Sequence, residues 1–229
     1  MALTNEGKYM KQRDGAKGNM PLVHDINNLD PNGGVLSHMT CWRPRPGDLD
    51  PEYPGEKVFL TSYIPTDAED PCPCGSGKQF DSCFQPLPYW RPVCPNPGMQ
   101  GYSLMHSQSA RFTNIPTDAV YAFLQDDERL YCVEDTPHRV FWVYWGEPAL
   151  DIPYGTLCFG DIELLGSHTL LVSALSDARM EVLLELVRPL NLGTPQMRRD
   201  PAPRLERPVR KVSSRKRRRN KEGAKGQTL

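Results

Sequence analysis

Pro71-Cys72-Pro73-Cys74-Gly75-Ser76-Gly77-Lys78-Gln79-Phe80-Asp81-Ser82-Cys83 is the most constrained stretch of the chain, and the rest is read outward from it. Three of the 7 cysteines lie inside it. Cys72 and Cys74 are separated by one proline, so both thiolates reach a common point only if the backbone curls around it. Pro73 fixes φ and lowers the entropy lost on ordering. Gly75 and Gly77 accept positive φ, so the chain can double back and bring Cys83 to the same place. Soft thiolates at about 2.3 Å in a tetrahedron are the preferred structural setting of Zn²⁺. A segment this short buries little by itself. Metal binding, on the order of 10 kcal/mol for a full site, is therefore expected to supply the energy that shapes it.

The order Cys-Pro-Cys-Gly-Ser-Gly-Lys, an aromatic residue, then Cys closely resembles the SEC-C motif, the small zinc-binding module best known from the bacterial preprotein translocase motor SecA. The resemblance covers residues 71–84 of 229. It implies a zinc ion on Cys72, Cys74 and Cys83. It also implies a docking role, toward a protein partner such as the export chaperone SecB or a ribosome-associated factor. In that family the motif ends in Cys-Cys or Cys-His, whereas here Cys83 is followed by Phe84. Three readings stay open. Cys94 can fold back and complete an all-cysteine set of Cys72, Cys74, Cys83 and Cys94; it is the preferred candidate, being close in sequence and set among prolines. One of His24, His38, His106, His138 and His168 can do so instead. Or the fourth ligand is lost and packing of Phe80 and Phe84 holds the knuckle. The segment Gly75-Ser76-Gly77-Lys78 is no phosphate loop: position 72, where the first glycine is needed, is Cys, and Gln79 stands where Ser or Thr would hold Mg²⁺.

Around the knuckle the chain divides into four parts. Residues 1–56, rich in Gly, Asn, Asp and Pro, are expected to be an irregular arm laid over the body by Val35, Leu36, Met39 and Trp42. Residues 57–101 hold a strand over Val58–Ile64, the knuckle, and a proline-rich wrap. Five prolines between Phe84 and Gly98 forbid a regular helix there, and Tyr89 and Trp90 are expected to plug the side of the knuckle. Residues 102–192 read as an α+β domain. A helix is expected over Ala119–Leu124 with Thr117 as its cap, and strands over Arg129–Val133, Val140–Trp145, Leu157–Leu165 and Thr169–Ala174. A second helix is expected over Asp177–Arg188, capped by Ser176, striped by Met180, Leu183, Leu184 and Val187, and stopped by Pro189. Residues 193–229 read as a disordered basic tail. The fold class is thus α+β: a zinc knuckle beside a compact α+β domain.

Mean hydropathy is -0.55 and the chain carries 23 prolines, so a modest core and much irregular backbone are expected. The net charge of -1 conceals an asymmetry: from Arg198 onward 13 Lys and Arg face 3 Asp and Glu, so a basic tail follows an acidic body. No apolar leader opens the chain and no run approaches the ~20 apolar residues that span a bilayer. With the odd cysteine count, this points to the reducing cytoplasm. No nucleophile, paired carboxylate or catalytic histidine constellation is visible, so no enzymatic activity is expected. Two roles fit: a non-enzymatic docking or adaptor factor near translation or export, or an RNA-binding protein in which Arg215, Lys216, Arg217, Arg218 and Arg219 grip the phosphate backbone, or the ribosome, and zinc only braces the fold.

Overall fold

Gly34–Arg43 forms a ten-residue strand, β1, in the segment where an irregular arm is expected, and much of the molecule is assembled against it. The computed structural model describes residues 29–43, 55–146 and 149–207. Val35 and Leu36 are fully buried on opposite faces of β1, as the period of two requires. β2 (Glu56–Pro65) pairs antiparallel with β1 from end to end. The other edge of β1 is shared: its first half pairs parallel with β4 (Val93–Pro95), its second half antiparallel with β10 (Gly155–Cys158). β5 (Tyr102–Leu104) and β9 (Asp151–Ile152) complete this six-stranded sheet.

The second sheet is wholly antiparallel, in the order β13-β6-β12-β11-β8-β7. Its strands are β6 (Gln108–Thr113), β7 (Leu130–Thr136), β8 (Arg139–Tyr144), β11 (Gly160–Leu165), β12 (Thr169–Ala174) and β13 (Gln196–Arg199). The main core packs α2 (Thr117–Gln125) and α3 (Asp177–Val187) on one face of this sheet, with Val140, Trp142, Ile162, Leu164, Leu170 and Val172 turned inward. Met39 and Cys41 of β1 enter the same core. β8 is buried on both faces: Phe141 and Val143 pack on the opposite side with Cys158 and Trp42. Ser176 caps α3, its side chain accepting from Arg179 N. α2 differs: Pro116 holds the cap position and Thr117 lies inside the first turn, its hydroxyl donating to Ser167 O.

The stretch Leu157–Leu165, expected as one strand, is two. Cys158 ends a strand of the first sheet and Gly160 starts one of the second, so the chain changes sheets at Phe159. The arrangement is α+β, with a sheet built from residues on both sides of position 102. The region expected to be a disordered tail begins as ordered chain. β13 pairs with β6, and β14 (Leu205–Glu206) pairs with β3 (Tyr89–Trp90). Residues 1–28 of the expected arm and 208–229 of the expected tail, including Arg215–Arg219, lie outside the described residues. No described helix is long and apolar enough to cross a membrane.

Candidate metal centre

The knuckle is a closed loop on the surface of the first sheet. Cys72 N donates to Lys78 O at 2.8 Å, Gly75 N donates to Cys72 O at 3.3 Å, and Pro71 bridges Gln79. The return is made by the two glycines: Gly75 has φ +75° and Gly77 φ +73°, conformations that other residues adopt only under strain. A one-turn helix, α1 (Phe80–Cys83), then carries Cys83 back over the loop. Asp70 O and Ala68 O accept from Phe80 N and Asp81 N at 2.8 and 2.9 Å, fixing that turn to the chain entering the knuckle.

Cys72, Cys74 and Cys83 end with their sulfurs within 4.8 Å of one another. The Cys74 and Cys83 sulfurs are 3.7 Å apart. Four thiolates about 2.3 Å from a tetrahedral ion lie about 3.8 Å apart along each edge, so this pair already spans one edge of such a site. The donor set fits a soft divalent ion. The thiol chemistry points the same way: Cys74 is pulled down to about 5, first by the hydrogen bond from Cys72 and then, against its burial, by those from Ser76 and Cys83. Cys72 is pushed upward, first by that same bond to Cys74 and then by burial. Ser76 Oγ sits 3.4 Å from Cys83 Sγ, a second polar group beside the sulfurs that the cysteine spacing alone did not single out.

The structure does not bring Cys94 to this point. Val93 packs in the knuckle cluster with Val35, Phe80 and Phe84; Cys94 is the next residue in β4 and must face the other way. Its thiol is fully buried and donates to Leu175 O at 3.6 Å. No histidine replaces it among the described residues. His38 is bonded to Thr61, His106 to Asp177, and His138 and His168 are exposed in hairpin turns; His24 lies outside the described residues.

Phe84, at the position of the family's fourth ligand, is 2% exposed and packs with Phe80, Val35, Ile64 and Val93. The knuckle therefore has an apolar footing on β1, β2 and β4 that does not depend on an ion. Trp90, expected against the knuckle, packs instead with Leu36, Tyr63 and Leu205. Arg207 was also missed by sequence: it reaches across to Phe84 O at 2.8 Å and Gln85 O at 3.0 Å, capping the chain as it leaves α1. Nothing in its local sequence signals a partner 122 positions away. Lys78, at the tip of the loop, is exposed.

One comparison bears on this site. The chain is 38% identical over 52 residues to the protein translocase subunit SecA of Delftia acidovorans, a match covering 23% of this chain and 6% of that protein. No protein-family model matches the chain, and no solved structure matches it. The thiol cluster and the similarity to SecA together fit a SEC-C-like knuckle.

Proposed function

We propose that the protein is a non-enzymatic, zinc-binding docking factor of the cytoplasm, whose knuckle engages a protein partner in export or translation. The convergence of the Cys72, Cys74 and Cys83 sulfurs is the observation that carries this reading. Zinc would be held by these three thiolates, with the fourth position left to water or to a donor from outside the described residues. The similarity to a protein translocase subunit supports the export side. Because the match spans only a small part of SecA, the translocase's own activity is not carried over. Gly75, Ser76, Gly77 and Lys78 form an exposed loop tip beside the sulfurs, and a partner would meet these residues first. Holding that tip rigid is what the ion would contribute.

The test is direct binding of the zinc-loaded full chain to a purified SecB-type export chaperone and to ribosomes, alongside Cys74→Ser and a chain truncated after Arg207. Binding lost in Cys74→Ser but kept on truncation supports the knuckle as the docking surface. Retention of RNA or ribosomes that weakens steeply with salt, vanishes on truncation and ignores Cys74→Ser would replace this reading with the RNA-binding one. Truncation belongs after Arg207 because residues 196–206 supply two strands to the fold.

A further inference from the structure

The knuckle brings three sulfurs together without a fourth ligand of the ordinary kinds. Phe84 stands where the family has one and is packed among Val35, Ile64 and Val93. Among the described residues no further cysteine, no histidine and no carboxylate joins the group. A structural zinc site is almost always four-coordinate, so a donor of another type is needed. A hydroxyl oxygen lies beside the sulfurs.

Ser76 Oγ is 3.4 Å from Cys83 Sγ, and it also hydrogen-bonds the Cys74 sulfur. Sulfur at about 2.3 Å and oxygen at about 2.0 Å from a tetrahedral ion stand about 3.5 Å apart along their shared edge. The Ser76–Cys83 separation therefore suits a sulfur–oxygen edge, as the 3.7 Å between Cys74 and Cys83 suits a sulfur–sulfur one. The loop backbone helps to hold the side chain there. Ser76 sits between Gly75 and Gly77, both at positive φ, and Lys78 N donates to its Oγ at 3.4 Å. A hydroxyl has two lone pairs and one proton. Lys78 N takes one lone pair. Of what is left, the proton serves a sulfur when no ion is bound, and the second lone pair serves an ion when one is. Charge favours such a donor as well: three thiolates already outweigh a divalent ion, so a neutral ligand completes the shell without adding to the excess.

We propose that Ser76 Oγ is the fourth ligand of the metal held by Cys72, Cys74 and Cys83. Ser76 then takes the place of water or an outside donor in the zinc reading of those sulfurs, on which this assignment rests. Because Ser76 belongs to the exposed tip of the loop, its bond to the ion is also what would hold that tip rigid.

The experiment loads the full chain with cobalt(II), which substitutes for zinc and absorbs through its thiolates, in wild type, Ser76→Ala and Ser76→Cys. Each is placed in water enriched in the magnetic oxygen isotope, and solvent oxygen on the metal is read by electron–nuclear double resonance. The expected result is no solvent coupling in wild type and a clear one in Ser76→Ala, where water enters in place of the hydroxyl. Zinc affinity should fall about tenfold or more in Ser76→Ala, as it does on loss of even an outer partner of a metal ligand. Ser76→Cys should add a fourth sulfur and raise the thiolate-to-cobalt absorption per metal by about a third, four soft ligands replacing three. Solvent coupling of equal strength in wild type and Ser76→Ala, or unchanged absorption in Ser76→Cys, would overturn the assignment of Ser76 and leave the three-sulfur site standing. A wild type without thiolate-to-cobalt absorption would overturn both.

Discussion

Phe84 shows how one side chain divides the work of the knuckle. Phe84 is pressed into Val35, Ile64 and Val93, in the same apolar cluster as Cys72, and Cys74 and Cys83 pack against that cluster. Replacing Phe84 with Ala removes a buried ring and leaves a cavity, a change of roughly 3–5 kcal/mol, to be read by urea denaturation of the metal-free chain. Unaltered stability would mean the knuckle is not seated on the sheet. A second residue-scale prediction concerns Asp127. The fork from Arg129, with Nε and Nη2 at 2.8 and 2.6 Å, holds its carboxyl below the usual carboxylate range. A depressed carboxyl stabilises the fold above its unfolded value, near 3.9, and loses that contribution as pH falls through the lower folded value. Asp127→Asn should therefore cost up to about 1 kcal/mol at neutral pH and almost nothing at pH 2, measured by denaturation at both. Cys72, Cys74 and Cys83 were legible as a group because their spacing and the glycines between them dictate convergence. Cys94 was not, since nearness in sequence says nothing about which face of a strand a residue occupies.

Among the elements, α3 and β8 were legible because each repeats its buried positions at a plain period: Met180, Leu183 and Val187 along one stripe, and an apolar run from Val140 to Tyr144. β1 was hidden for the opposite reason. It is buried on both faces yet contains Ser37, His38 and Thr40, so neither alternation nor a continuous apolar run marks it, and the turn residues before it suggested loop. β13 escaped notice because all four of its residues are exposed and its pairing is purely backbone. The break at Phe159 carries no Gly or Pro of its own. Gly160, immediately after it, lies close under α3: a Cβ there would stand 2.4 Å from Leu183 Cδ1 and 2.8 Å from Ser173 O. Gly160→Val should destabilise by about 1–3 kcal/mol through overpacking, visible as a lowered denaturation midpoint with an unchanged slope. The wild-type midpoint would show that the helix has room to move. The repeated Ile-Pro-Thr-Asp-Ala ends β2 at 64–68 and opens α2 at 115–119, so the same five residues serve opposite purposes.

For the molecule as a whole, the sheets are shared among distant parts of the chain. β1 pairs with β10 across more than a hundred residues, and Lys57 of β2 is paired with Asp161 of β11. A fragment of residues 102–192 would lack β1 against β10 and β13 against β6, and is expected to show no cooperative unfolding. Removal from Gly193 onward should lower the thermal midpoint of the full chain by several degrees, through loss of β13, β14 and the Arg207 contacts; an unchanged midpoint would mean that those pairings add no stability. The claim on which the functional account rests is that three sulfurs hold one ion. Native mass spectrometry of the purified chain, with Cys74→Ser and Cys94→Ser beside it, tests this directly. One zinc per chain is expected in wild type and in Cys94→Ser, and none in Cys74→Ser; a metal-free wild type, or zinc retained by Cys74→Ser and lost from Cys94→Ser, would mean that these sulfurs do not hold the ion.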